Sequence, residues 1–235
     1  MSEGQVIVTG ASRGIGEAVA TELDRRGFEV VGLSRGGISP VGVGMVCDMT
    51  DEGSIAQVIA EIGKRGPIVG LVNNAGAHEA KPSAELSLSE FEACMRLNAS
   101  AVLVCSREAY PHLRQCGDAL IVNIGSFYDR LAVPENLAYC ASKAAVGAIT
   151  RCLASEWAKE GIRVLDVAPG YIHTELNHDF LSTDKARSWL KRRVPVGRPG
   201  RVGEVAQLVG ALFSERIGFL TGETIYLDGG QGTNL

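Results

Sequence analysis

A chain of 235 residues, 46% hydrophobic and 21% charged, is long enough for one α/β domain with a buried central sheet. A net charge of −4 argues against a general nucleic-acid-binding surface. No run approaches the roughly eighteen apolar residues of a membrane span, and Met1-Ser2-Glu3 leads straight into a strand. A cytoplasmic protein with no membrane and no nucleic-acid partner is expected. Glycine is in excess, 29 residues or about 12% against a usual ~7%, which implies tight turns or close backbone approach to a ligand. The six cysteines (Cys47, Cys94, Cys105, Cys116, Cys140, Cys152) form no CxxC pair and no metal-ligand spacing with the four histidines. Reduced thiols and no metal site are expected.

Residues 5–9 read as a β-branched strand, followed by Gly10-Ala11-Ser12-Arg13-Gly14-Ile15-Gly16 and a helix that stops at Gly27. Strand, glycine turn and helix together let a pyrophosphate sit on backbone N–H groups at a helix N-terminus. The spacing is G-x-x-x-G-x-G, not G-x-G-x-x-G, and a βα turn also needs glycine for conformation alone. A second strand over 28–33 ends in Ser34-Arg35, where an acidic residue would hold the adenosine ribose 2′-hydroxyl of NAD. A hydroxyl and an arginine instead suit a 2′-phosphate, with Arg13 as a second cation. NADP(H) is expected ahead of NAD(H); a solvated loop arginine is the plainer reading of Arg35.

Residues 36–40 are too short and broken for a crossover helix, so a loop leads to a third strand over 41–47 that ends at Asp48. A helix over 51–64 and a strand over 68–72 follow, closing with Asn73-Asn74-Ala75-Gly76. Those amides can brace neighbouring strands and line a cofactor, or form a plain turn. A helical stretch from Ser89 carries Asn98, a poor helix former whose side chain can compete for backbone groups, hold water or face solvent. The apolar run 119–125 reads as a buried strand that places Ser126 at the carboxyl edge of the sheet, where open α/β proteins bind ligands.

A loop over 127–136 precedes a helix running to Lys159, whose Ala141, Ala144, Ala145, Gly147 and Ala148 would let another helix approach, in a dimer or a tetramer. Near its start Tyr139 and Lys143 lie four apart, on one helix face. An ammonium near a phenol lowers the tyrosine pKa, and a phenol tuned this way can give a substrate oxygen a proton or take one. Such a pair also arises by chance on surface helices, and the rest of the chain is what singles it out. A strand over 162–167 leads to Ala168-Pro169-Gly170-Tyr171-Ile172-His173-Thr174. Residues 175–200 lack clear periodicity and read as a mobile lid or a surface excursion. A helix over 202–213 and a strand over 224–227 complete a single domain spanning 1–235.

Thr9 to Gly16, Asn73 to Gly76, Asn98, Ser126, Tyr139-x-x-x-Lys143 and Pro169-Gly170, in this order, resemble the short-chain dehydrogenase/reductase family over almost the whole chain. The likeness is closest to its 3-oxoacyl-carrier-protein-reductase-like, NADP-dependent members. The resemblance implies a Rossmann-type doubly wound α/β domain with a seven-stranded parallel sheet, in a homotetramer or homodimer. It implies that Tyr139 donates the proton in carbonyl reduction, that Lys143 binds the nicotinamide ribose, that Ser126 hydrogen-bonds the reacting oxygen and that Asn98 holds a relay water. Gly10, Ser12, Arg13, Gly14, Ile15 and Gly16 would meet the phosphates and adenosine. Ser34 and Arg35 stand at the 2′-position, Asp48 and Met49 at the adenine, and Asn74, Ala75 and Gly76 on the adenosine side. Pro169, Gly170, Ile172 and Thr174 would lie towards the nicotinamide. Carrier-docking arginines of those relatives match Gly117 and Glu160 here, with Asp118 alongside, which disfavours an acidic protein partner unless Lys191-Arg192-Arg193 compensates.

The leading expectation is hydride transfer between NADP(H) and a small carbonyl or alcohol substrate. An NAD-dependent alcohol or sugar dehydrogenase and a non-catalytic NADP-binding sensor are the alternatives. Phe127, Tyr128, Leu131, Pro134, Tyr171, Leu176, Phe180 and Trp189 can wall an apolar substrate pocket. His173 and Cys140 are expected to have no chemical role.

Overall fold

Strand β1 (Gln5–Thr9) is buried at all five positions, and β4 (Ile68–Asn73), β5 (Ala119–Ile124) and β6 (Ile162–Pro169) are buried throughout as well. Apolar runs without alternation belong to strands covered on both faces, the condition of a parallel sheet between two helical layers. With β2 (Glu29–Ser34), β3 (Val43–Val46) and β9 (Thr224–Leu227) they form a seven-stranded sheet in the order β3-β2-β1-β4-β5-β6-β9, every neighbouring pair parallel. The computed structural model describes residues 4–174 and 183–233.

Two cores fill the space between layers. On one face Val19, Ala20 and Leu23 of α1 (Gly14–Arg25) pack with Val205, Val209 and Phe213 of α7 (Val202–Glu215) against Val6, Val8 and Val122. On the other, α2 (Glu52–Arg65), α4 (Ala101–Cys116) and α5 (Leu137–Trp157) bring Ile59, Leu113 and Leu153 onto Ile7, Leu71 and Ile121. The strand order reverses between β1 and β4, so the chain leaves their carboxyl ends in opposite directions and opens the crevice in which such sheets bind ligands.

The loop expected between the second and third strands is present, and the third strand is shorter than expected. Gly37 and Gly42, at φ +68° and +63°, turn the chain there; a side chain at Gly42 would collide with the Val30 carbonyl. Helix α3 (Leu88–Met95) starts at a capping box of Ser87 and Glu90, slightly ahead of the helical stretch expected from Ser89. Between α3 and α4 the helix loosens into a π-helical turn, Arg96–Ser100, with Asn98 at its centre.

Residues 183–200 are more regular than their sequence indicates. Helix α6 (Asp184–Arg193) buries Leu190, which packs with Val194, Tyr171 and Trp189, and β7 (Ile172–His173) pairs with β8 (Gly200–Arg201). The lid expected over 175–200 falls in part on 175–182, outside the described residues. No helix among the described residues is long and apolar enough to cross a membrane.

Ile121 is fully buried at the centre of the sheet. Ile121→Ala should lower the unfolding free energy by about 2–5 kcal/mol in urea titration, because the packed strands around it cannot collapse into the space left.

Candidate active site

The glycine turn after β1 is shaped by what lies beside it. A Cβ on Gly16 would stand 2.2 Å from the Gly10 carbonyl oxygen and 2.4 Å from Asn74 Nδ2. Gly14, at φ +62°, faces open space instead, with nothing within 4 Å of a built Cβ. An open backbone at the first turn of α1 is a cradle for an anion, and it fits the pyrophosphate of a dinucleotide. Ser12 and Arg13 beside it are exposed. An open groove of about 760 Å³ lies between α1 and α7, lined by Glu17 and Thr21 on one side and Val202 and Gln207 on the other, with Gly14, His173 and Thr174 also bordering it.

The end of β4 braces this turn. Thr9 Oγ1 accepts from the Asn74 N–H at 2.9 Å and the Ala75 N–H at 3.0 Å, while Asn74 Nδ2 donates to the Thr9 and Gly10 carbonyls at 2.9 and 3.2 Å. Asn73 points the other way and donates to Ser106 and Asn123 inside the core. Bracing, one of the two readings of this segment, is what the side chains do.

At the adenosine end the structure qualifies three expectations. Ser34 Oγ donates to the Ile38 carbonyl at 2.9 Å and accepts from the Ile38 N–H at 2.8 Å, so its only proton is committed to closing the loop. Met49 is buried and its side chain packs in the core, not towards the open side of the sheet edge. Arg35 is exposed and acts on Asp48, whose carboxyl sits below the usual range chiefly because the Thr50 backbone and hydroxyl donate to it.

Four residues converge at the carboxyl ends of β4 and β5. The Ser126 hydroxyl bonds the Tyr139 phenol. Lys143, buried on α5, donates to the Ile124 carbonyl at 2.7 Å and lies 5.6 Å from the centre of the Tyr139 ring. Asn98 Oδ1 accepts from the Ala77 N–H at 2.9 Å, and Nδ2 donates to the Ala77 carbonyl at 2.8 Å and to Ser142 Oγ at 3.1 Å. With its amide committed, Asn98 ties the segment after β4 to α5. A π-helical turn is a geometry common at functional sites.

The expected lowering of the Tyr139 pKa is reversed here. Burial of its hydroxyl pushes the phenol up to about 12, against the pull of the Ser126 hydrogen bond. Lys143, four residues on, lies beside the ring, yet desolvation governs the phenol. Burial also lowers Lys143 to about 8, with Asp166 acting in the opposite sense. At neutral pH the phenol is protonated and the lysine is mostly an ammonium.

An aromatic wall surrounds Tyr139. His78 and Tyr128 meet it edge to face at 4.8 and 5.6 Å, Tyr171 lies 5.1 Å from Phe127, and Trp189 lies 5.2 Å from Tyr171. Phe127, Tyr128, Tyr171 and Trp189 are therefore in contact with one another, whereas Leu176 and Phe180 lie outside the described residues. His78 was not anticipated: it hydrogen-bonds Asn136, and nothing local in the sequence marks it. Pro169 ends β6, and Gly170 follows with its N–H on the Leu227 carbonyl at 3.0 Å; a Cβ there would stand 2.7 Å from Asp228 Cα. Ile172 is buried.

A family profile described as Enoyl-(Acyl carrier protein) reductase matches residues 10–231. Gluconate 5-dehydrogenase of Gluconobacter oxydans (strain 621H) is 33% identical over 248 residues, which cover 100% of this chain and 97% of that protein. The 3-oxoacyl-[acyl-carrier-protein] reductase of Haemophilus influenzae is 34% identical over 234 residues, covering 95% and 96%. Among solved structures, a gluconate 5-dehydrogenase from Burkholderia cenocepacia J2315 in complex with NADP and tartrate superposes with a TM-score of 0.93 at 30% identity, covering 100% of this chain and 97% of that one.

Thr9→Val removes the acceptor for two backbone N–H groups at nearly constant volume. It should cost about 1–3 kcal/mol of stability by thermal denaturation, while Thr21→Val on the exposed face of α1 should stay within about 0.5 kcal/mol of the parent.

Proposed function

The chain belongs to the short-chain dehydrogenase/reductase family of oxidoreductases acting on CH–OH and C=O groups, and we propose that it transfers hydride between NADP(H) and a small or medium carbonyl or alcohol. The observation that carries this reading is the convergence of Ser126, Tyr139, Lys143 and the Asn98 turn beside an open dinucleotide cradle. Bound NADP(H) supplies or accepts the hydride.

The chain's own residues supply the rest. Gly10, Ser12, Arg13, Gly14, Ile15 and Gly16 hold the phosphates; Arg35 and Arg13 hold the 2′-phosphate. Asp48, the Met49 backbone, Asn74, Ala75 and Gly76 bound the adenosine end, and Pro169, Gly170, Ile172, Thr174 and Lys143 the nicotinamide end. In reduction, Ser126 hydrogen-bonds the substrate oxygen and Tyr139, protonated at neutral pH, gives it a proton. The Lys143 ammonium steadies the phenolate left behind, and a water on the Asn98 turn returns the proton. Phe127, Tyr128, Tyr171, Trp189 and His78 select a substrate with both apolar and hydroxyl-bearing surface.

Glu160 accepts from Tyr110 at 2.6 Å, and Asp118 pairs with Arg163 and Arg216, each at 3.3 Å, so acidic groups stand where the carrier-docking arginines of those relatives would be. This favours a free small molecule. We place the enzyme in the cytoplasm as a homotetramer or homodimer, with the small-residue face of α5 available for a helix partner. One observation favours NAD(H) as the second reading: the Ser34 hydroxyl is committed to Ile38, which leaves Arg35 to bind a 2′-phosphate without it.

The test is NADPH consumption against ketones, aldehydes, diketones, acetoacetyl thioesters and keto sugars. Turnover of one class, cut by about 10²- to 10⁴-fold in Tyr139→Phe with nucleotide binding kept, is the expected result. Silence across the panel with NADPH bound would sink it. Arg35→Asp should raise the KM for NADPH about tenfold or more, and equal losses with NADH and NADPH would show that Arg35 does not read the phosphate.

A further inference from the structure

We propose that Asp166 is a positioning residue of this site: it is the buried counter-ion that holds Lys143 as an ammonium beside Tyr139. The proposal rests on the catalytic reading of Tyr139 and Lys143 given above. Asp166 is fully buried in β6, a strand buried at all eight positions. Strand register sets it in a polar row across the sheet, Asn73 beside Asn123, Asn123 beside Asp166 and Asp166 beside Thr224. The row lies directly beneath the catalytic segments, since Asn73 and Asn123 come just before Asn74 and Ser126.

Its two halves differ in chemistry. The amides satisfy one another: Asn73 donates to Asn123 Oδ1 at 2.8 Å, and Asn123 donates to Thr150 Oγ1 at 2.9 Å. Asp166 accepts from Thr224 Oγ1 at 3.2 Å on Oδ2, and the Gly125 backbone adds a smaller pull that also favours the carboxylate. Its Oδ1 is buried without a hydrogen-bond partner, because the adjoining Gly125 N–H is directed to the Val167 carbonyl at 2.8 Å. A buried carboxylate that is half satisfied is costly, and a neutral side chain would serve the packing at lower cost. The charge therefore answers another charge.

The groups facing it identify which. From α5 comes Lys143, the one buried lysine among the described residues, whose Nζ donates to the carbonyl of Ile124, next to the Gly125 that Asp166 Oδ1 approaches. From the turn after β5 comes Asp129, whose Oδ2 is taken by the Tyr226 hydroxyl of β9 at 2.6 Å, with the Arg130 guanidinium 4.1 Å from the centre of the Tyr226 ring. Asp129 opposes ionisation of Asp166 and Lys143 favours it. Reciprocally, Asp166 is the first influence opposing the loss of the Lys143 proton to burial. Gly125 makes the approach possible, since a Cβ there would stand 2.4 Å from Asp166 Oδ1.

Lys143 can be titrated directly in the full chain labelled with 13Cε-lysine, using Lys143→Arg to assign its resonance and no substrate at all. In Asp166→Asn, close in shape but neutral, the Lys143 midpoint should fall by about one pH unit or more. The alkaline loss of kcat should move down by a similar step, while KM for the carbonyl changes by less than about twofold. A folded Asp166→Asn protein with an unmoved Lys143 midpoint overturns the proposal, and so does an unmoved kcat profile alongside reduced thermal stability, the mark of a purely structural residue. Thr224→Val keeps the test open if Asp166→Asn does not fold. The Lys143 resonance should carry a smaller inflection where Asp166 titrates, at about 6. Removing its hydrogen bond should move that inflection to higher pH; no such movement overturns the proposal. A wild-type protein silent on every carbonyl, yet with the lysine midpoint shifted in Asp166→Asn, supports the ion pair and overturns the catalytic reading instead.

Discussion

The crevice depends on one bracing interaction at the point where β1 and β4 part. Adjacent parallel strands whose chains turn to opposite faces leave backbone donors and acceptors exposed at the split, and these must be satisfied or solvated. Thr9 and Asn74 satisfy them reciprocally, one hydroxyl receiving two N–H groups and one amide serving two carbonyls. The same contact sets the distance between the glycine turn and the segment that leads to Asn98. Gly10 and Gly16 are then required less for flexibility than for space, since Asn74 Nδ2 would lie within 3 Å of a side chain at either position.

That brace also explains how the two halves of the site come together. The segment after β4 is held at one end by Thr9 and at the other by Asn98, which reaches across to Ser142 on the helix that carries Tyr139 and Lys143. The glycine turn, the β4 segment and the catalytic helix thus form one hydrogen-bonded series. The π-helical turn is what lets Asn98 point inward from the junction of α3 and α4. An unbroken α-helix would advance the residue to another bearing, so the local irregularity belongs to the site.

Much of the fold was legible because its signals are local. Seven apolar runs, glycine stops and the octet after β1 placed every strand of the main sheet, with boundaries off by one or two residues. The start of α3 was legible too, in the Ser87 and Glu90 pair, slightly ahead of the helical stretch expected from Ser89. What could not be read depends on tertiary neighbours. Ser34 looks like a phosphate ligand by position, yet the loop folds back so that Ile38 takes its hydroxyl. Met49 stands at an edge in sequence and in the core in space. For Tyr139 the i,i+4 rule supplies the nearby cation but says nothing of desolvation, which governs the phenol. His78 reaches the site through a loop, with no periodicity to mark it.

Buried polar groups concentrate where the sheet ends, and their arrangement follows a gradient of charge. At the β4 side the row is made of neutral amides that close on themselves; at the β6 side it ends in a carboxylate with an unpartnered oxygen. Net neutrality across Lys143 and Asp166 lets the core accept an ammonium that burial alone would discharge. The pair does not touch through a short ion bridge, because Lys143 is drawn to the Ile124 carbonyl at 2.7 Å. A separated pair leaves the ammonium's remaining N–H groups free to turn towards Tyr139, whereas a direct contact would hold them down in the sheet. Separation is therefore the more useful geometry: it maintains the charge without immobilising the group that carries it.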